Sequence, residues 1–205
     1  MKTDVIIVGG FHEIIELCEE CGLKVVGIID NELRDSYYGV PVIGKDEDAE
    51  RLFAQYGGCK VIITPDSPMV REKLVNLYRA IGYKFATLIS PLAHISKSAD
   101  IGEGTIIQAG VNVSSATKIG CFCKLNSYSN LMHDNVIGDY STIAPNAVLL
   151  GRVTTGKGAY IGANSTILPS INIGIGSTVG AGAVVTKDVH SQLVVVGVPA
   201  KQLVK

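Results

Sequence analysis

From residue 95 onward, the large aliphatic side chains fall on every sixth position. Written in sixes from Ile95 the chain reads ISKSAD, IGEGTI, IQAGVN, VSSATK, IGCFCK, LNSYSN, LMHDNV, IGDYST, IAPNAV, LLGRVT, TGKGAY, IGANST, ILPSIN, IGIGST, VGAGAV, VTKDVH. Fifteen of the sixteen hexads open with Ile, Leu or Val, and only Thr155 departs. An apolar residue every six positions makes neither a stripe on a helix of period 3.6 nor one face of a strand of period 2. It makes the inside of a three-sided prism, to which each short flat strand contributes one large inward residue. A second period lies over the first: Gly102, Gly120, Gly138, Gly156 and Gly174 recur every eighteen residues, each just after the inward position. Three hexads therefore make one coil, a repeat that fixes the architecture before any single element is assigned. The fifth place of the hexad is often small (Ala99, Thr105, Ser141, Ala147, Ala159, Ser165, Ala183), and the recurring glycines are expected to tolerate the corner geometry.

The pattern ahead of the repeat is different. Residues 1 to about 90 predict strand at 4–8, helix at 12–21, strand at 24–29, short strand at 40–43, helix at 46–55, strand at 60–64, helix at 67–81 and strand at 84–89. Such alternation implies a parallel sheet covered on both faces, an α/β Rossmann-like domain whose ligands sit at the carboxyl ends of the strands. Those ends carry Gly9-Gly10-Phe11-His12, Asp30-Asn31 and Thr64-Pro65-Asp66-Ser67. The full dinucleotide fingerprint is missing, which argues against a nicotinamide cofactor. The expected division is a domain over 1–90 and a second over 91–205, with Ser90-Pro91 as the joint, since a residue before proline is pushed toward extended backbone.

Composition narrows the partners. Across 205 residues, Lys+Arg 18 against Asp+Glu 19 gives a formal net charge of -1, so no basic face points to nucleic acid. Small molecules or copies of the chain are the expected partners. Met1-Lys2-Thr3-Asp4 lacks the positive start of a signal peptide, and the apolar run 5–8 is too short to cross a bilayer, which places the protein in the cytoplasm. Five cysteines, an odd number, suit that compartment as free thiols. Cys18 and Cys21 have zinc-like spacing, but no second pair or nearby histidine completes a ligand set, and no metal is expected.

The hexads, together with the ending Val196-Gly197-Val198-Pro199-Ala200-Lys201, resemble the hexapeptide-repeat acyltransferases. That resemblance implies a left-handed parallel β-helix, although the general rule favours right-handed crossovers. With the α/β unit in front, nearly the whole chain resembles the bacterial sugar O- and N-acyltransferases related to sialic acid O-acetyltransferase (NeuD-like) and to UDP-4-amino-sugar N-acetyltransferase. The resemblance implies acetyl-CoA as acyl donor, a nucleotide-sugar substrate for surface glycan assembly, and a homotrimer. The family's glycine turn usually reads Gly-x-x-Gly-His; Gly9-Gly10-Phe11-His12 is one residue shorter. Gly10, Phe11, His12, Asp30 and Asn31 fall where the family holds the nucleotide-sugar, while the plainer reading makes them a helix cap and turn residues.

Acyl transfer from a thioester needs a base for the nucleophile's proton and donors for the developing oxyanion. Of the four histidines, His133 alone lies within the prism away from its ends, and in LMHDNV it stands with Asp134 at an outward corner. Eighteen residues on is Gly151, so the position one coil above His133 has no side chain, leaving a slot that a pantetheine arm could follow with the Gly151 N–H donating to the thioester carbonyl. Asp134 would accept the other imidazole N–H, the orienting role of a carboxylate in triads. The resemblance agrees: the family's base is a histidine followed by an acid, usually Glu. It further implies that Asn126 lies near the acceptor amine, and that Thr142 replaces a second histidine that meets the acetyl group in some members. Ala163, Gly180 and Ala181 would line the coenzyme arm, and Lys187 or Lys201 its phosphates. Base and acid serve an amine or a hydroxyl equally, so N-acetylation of an amino-sugar nucleotide, O-acetylation of sialic acid or a related sugar, and a non-catalytic binding scaffold all stay open here.

Overall fold

The computed structural model describes residues 3–203 and divides into two compact units between Ser90 and Pro91. In the first unit β1 (Thr3–Val8), α1 (His12–Glu20), β2 (Leu23–Ile29), β3 (Ser36–Tyr37), β4 (Val40–Gly44), α2 (Ala49–Tyr56), β5 (Lys60–Ile63), α3 (Pro68–Ile81) and β6 (Lys84–Phe85) follow one another. The sheet runs in the order β3-β4-β2-β1-β5-β6. All its pairings are parallel except β3 with β4, a small antiparallel hairpin that no alternation in the sequence announced. The central strands read as unbroken aliphatic runs because both faces are covered: Val5, Ile6, Ile7, Ile28, Ile29 and Val61 are all buried. The start of α3 is set by Ser67, whose side chain accepts from the Val70 N–H, and by a proline in the first turn. Its end is set by Gly82 at φ 112°, a left-handed conformation in which glycine carries no Cβ penalty. Arg71 is buried on α3 and donates to the carbonyls of Pro65 (2.8 Å) and Asp66 (3.0 Å), which fixes the β5–α3 loop.

The second unit is the three-sided parallel β-helix that the hexads predict. Two-residue strands stack in register every eighteen residues. One face holds 106–107, 124–125, 142–143, 160–161 and 178–179; the next holds 94–95, 112–113, 130–131, 148–149, 166–167 and 184–185; the third holds 100–101, 118–119, 136–137, 154–155 and 172–173. The hexad-opening residues point inward and most are fully buried, among them Ile107, Val113, Leu125, Leu131, Ile143, Leu149, Ile161 and Ile167. Each such burial stabilises by about 1.5–3 kcal/mol. The exception, Thr155, is buried as well, and its hydroxyl is satisfied: Oγ1 accepts from the Gly138 N–H at 3.2 Å and lies 3.3 Å from Ser141 Oγ.

The recurring glycines serve a purpose other than the one expected of them. The left-handed corner is the fourth hexad place, where Ala116, Phe122, Tyr128, Asp134, Tyr140, Asn146, Arg152, Asn164 and Ser170 all have φ between 54° and 61°. Gly102, Gly120, Gly138, Gly156 and Gly174 precede that corner with ordinary φ. They are glycine because a Cβ would stand within 2.7 Å of the backbone one coil above, for instance 2.5 Å from Gly120 C at Gly102 and 2.3 Å from Ser191 N at Gly174. The constraint is close approach between coils, not conformational freedom.

Candidate functional site

His133 and Asp134 form a pair at the corner that follows the 130–131 strand. The imidazole Nδ1 and Asp134 Oδ2 lie 2.8 Å apart, with both side chains about half exposed. The left-handed φ of Asp134, 58°, is the corner conformation of the repeat, and it turns this short acid back onto its neighbour. The next coil supplies the floor. A Cβ at Gly151 would lie 2.6 Å from both Cε1 and Nε2 of His133, so the imidazole itself takes the space a side chain there would fill. The slot expected at Gly151 thus seats the histidine ring rather than standing open, and a coenzyme arm would run beside it. The Gly151 carbonyl accepts from Ser170, whereas its N–H meets no acceptor among the described residues.

Asn126 lies on the same coil as His133, one face earlier; it is 8 % exposed and its carboxamide has no partner among the described residues. Thr142 is fully buried in its strand pair between Lys124 and Tyr160, which removes it from any open coenzyme path on this chain. Ala163 stands at the other edge of the face that ends in His133, two coils higher, and Gly180 and Ala181 stand at that edge three coils higher, so a single chain does not gather them round the imidazole. Lys187 is exposed and follows Val185 by two residues, as His133 follows Leu131, which puts it on the His133 corner three coils up. Lys201 is exposed on the terminal antiparallel strand opposite Val196.

In the first unit a cavity of about 740 Å³ opens at the carboxyl ends of β1, β2 and β5, where the strand order reverses. Gly9, Asp30, Asn31, Lys45, Pro65 and Lys73 are among its lining, with an apolar wall of Val70, Leu74 and Leu77 from α3. Asp30 and Asn31 reach it, whereas Gly10, Phe11 and His12 do not line it. Those three lie at the start of α1, where His12 Nδ1 is 3.2 Å from Tyr37 Oη, and its ring stacks on Tyr38 at 4.9 Å with Phe11 edge-on at 5.3 Å. The lysines and the α3 wall escaped the sequence reading. Their signal was present: 70, 74 and 77 form a second apolar stripe on α3, beside the buried stripe of Val75 and Tyr78.

Asp30 acts as a brace. Its Oδ2 accepts from the Gly10 N–H (2.8 Å), and its Oδ1 from the N–H groups of Glu32 (2.8 Å) and Leu33 (3.0 Å). Burial works to raise its carboxyl, but these three donors and the Arg34 charge outweigh it and hold the group below its ordinary value. A depressed carboxylate contributes stability that is present above its unfolded value and lost as pH falls through the folded one. Asp30→Ala is therefore expected to cost about 1–3 kcal/mol at neutral pH and to flatten the acid side of the stability curve. Urea unfolding followed between about pH 6 and pH 2 checks both, and an unchanged acid limb would remove the brace.

All five cysteines are free, and among the described residues no group of three or more His, Cys, Asp or Glu is placed to hold a metal. No described helix is long and apolar enough to cross a membrane.

Comparison with known proteins adds an independent line. Residues 152–187 match the family model "Hexapeptide repeat of succinyl-transferase". The crystal structure of PerB from Caulobacter crescentus, in complex with CoA and GDP-perosamine, superposes with a TM-score of 0.93 at 32 % identity over 100 % of this chain and 98 % of that one. The same protein has been solved with one histidine replaced by alanine or by asparagine. The acetyltransferase domain of PglB from Neisseria gonorrhoeae, in complex with acetyl coenzyme A, gives a TM-score of 0.92 at 27 % identity over 99 % of this chain and 100 % of that one. A GDP-perosamine N-acetyltransferase of Escherichia coli is 36 % identical over 84 residues, a match spanning 41 % of this chain and 38 % of that protein's length.

Proposed function

Because the chain belongs to the hexapeptide-repeat sugar acyltransferases, we propose that it transfers an acetyl group from acetyl-CoA to the amino group of a nucleotide-linked amino-deoxy-sugar, with His133 as general base. The observation that carries this reading is the His133–Asp134 pair seated over Gly151. With Nδ1–H donating to Asp134, the Nε2 lone pair is the one that faces a substrate. As the sugar nitrogen attacks the thioester carbonyl, Nε2 takes its proton and the C–N bond forms. The oxyanion that develops is met by the Gly151 N–H, which has no other acceptor. Collapse of the tetrahedral intermediate breaks the C–S bond, and the imidazolium returns the proton to the departing CoA thiolate. Asn126 stands with Ala163 at the other edge of the face that ends in His133, and its uncommitted carboxamide would hold the acceptor for the His133 of a neighbouring prism.

In this reading residues 1–90 are a Rossmann-like nucleotide-sugar domain and residues 91–205 a left-handed β-helix. The crevice lined by Asp30, Asn31, Lys45 and Lys73 holds the nucleotide, its lysines suited to a diphosphate and its α3 wall to a base. The separation of Ala163, Gly180 and Ala181 from His133 fits an assembly in which a neighbouring prism completes the coenzyme site, and a cyclic homotrimer gives three equivalent ones. Free thiols and an acyl-CoA donor fit a cytoplasmic enzyme of glycan synthesis.

The test is thiol release from acetyl-CoA with a panel of GDP-, UDP- and CDP-linked 4-amino sugars and free sialic acid. Turnover with an amino-sugar nucleotide is the expected result. Acetylation of sialic acid alone would replace it with an O-acetyltransferase, and silence across the panel from folded protein would favour a scaffold.

A further inference from the structure

The corner that carries His133 continues up the prism. Strands 130–131, 148–149 and 166–167 pair in register, so Asp134, Arg152 and Ser170 occupy one column, at φ 58°, 61° and 60°. A guanidinium one coil from a carboxylate would ordinarily pair with it. Here Asp134 is engaged by His133, and Arg152 is drawn the other way: its Nε donates to Ser170 Oγ, one coil higher, at 3.2 Å. No carboxylate lies within ion-pair distance of Arg152 among the described residues. The side chain is exposed, held along the prism axis by one bond, and the four N–H groups of its two terminal nitrogens have no partner there. A planar fork of that kind, charged and without a counter-ion, suits a phosphate.

We infer that Arg152 binds a phosphate of the acyl-CoA donor while its thioester lies at His133. The inference rests on the acyl-CoA reading above and adds a residue that neither the repeat pattern nor the His-Asp pair singled out. A bent arm meets the distances. Coils rise by about 4.8 Å, so the guanidinium stands roughly 5 to 10 Å above the level of His133. From sulfur to the first phosphorus a pantetheine arm is about thirteen bonds with two amides, on the order of 15 to 18 Å when fully extended and shorter when bent. A bent arm that starts at His133 and climbs this corner brings its phosphates to the zone between Arg152 and Lys187, the latter three coils above His133. Ser170 matters because it keeps the guanidinium pointing along that path and away from Asp134.

Calorimetric titration with CoA, 3′-dephospho-CoA and pantetheine tests the assignment without requiring turnover. Arg152→Gln is expected to weaken CoA binding about tenfold or more, as loss of charge-assisted hydrogen bonds does, and to leave the weak binding of pantetheine as it is in the unaltered protein. Arg152→Lys should recover part of the loss, since an ammonium keeps the charge but not the fork. An equal loss for 3′-dephospho-CoA places Arg152 on the pyrophosphate; a loss confined to CoA places it on the 3′-phosphate. A CoA affinity within twofold of the unaltered protein in the Gln variant overturns the inference alone. Failure of the unaltered protein to bind CoA overturns the acyl-CoA reading and the inference together.

Discussion

Replacing His133 with alanine is expected to lower acetyl transfer by about 10²- to 10⁴-fold, the range that a positioned general base contributes. The variant should fold normally. His133 is about half exposed at a corner, its neighbours in the column are Ser115 below and Gly151 above, and its removal opens no cavity in the prism. Its melting temperature should therefore stay close to that of the parent, as for most surface substitutions. Gly151→Ala reaches the same group from the other side: the new Cβ would meet Cε1 and Nε2 at 2.6 Å, and the ring must swing away from its seat. If His133 is the base, both variants lose turnover while CoA binding persists. Steady-state rates beside calorimetric CoA affinity separate the cases. A His133→Ala enzyme that keeps its rate would remove the base assignment, and a Gly151→Ala enzyme that loses both rate and affinity would make Gly151 a coenzyme contact first.

The β-helix was legible because its rule is one-dimensional. An inward residue at i fixes those at i+6 and i+18, and parallel pairing in register carries that spacing from coil to coil, so arithmetic on the sequence returned Gly151 above His133 before any coordinate did. The front domain follows no such rule. Its crevice depends on which helix covers which end of the sheet, and α3 contributes Val70, Lys73, Leu74 and Leu77 to it from residues far from the glycine turn. Sequence reasoning looked to that turn, where Gly10 is occupied by the Asp30 brace and His12 by Tyr37 and Tyr38. Arg152 was hidden for a third reason. Its character comes from what its neighbours have already committed, Asp134 to His133 and Ser170 to Arg152 itself, and commitments of that kind are visible only in three dimensions.

The repeat's glycines give the largest expected effect on stability. Gly138→Ala would set a Cβ 2.6 Å from Gly156 C, 2.7 Å from Lys157 N and 2.8 Å from Thr155 O. All three are backbone atoms, so no side chain can turn aside to make room. The coils cannot spread locally either, because Gly138 N donates to Thr155 O at 3.0 Å and Tyr140 N to Cys121 O at 2.9 Å, tying this turn to the coils above and below. A loss above about 4 kcal/mol is expected, in the range reserved for forced clashes and broken networks. Gly182→Ala is the contrasting case. Gly182 sits at a left-handed corner with φ 67° and nothing within 4 Å of an added Cβ. The same column accepts Asn146 and Asn164 at φ 58° and 55°, so alanine there should cost only about 1–2 kcal/mol of left-handed strain. Urea unfolding of the two variants checks the pair. Equal losses would mean that conformational freedom, not contact between coils, keeps glycine in the repeat.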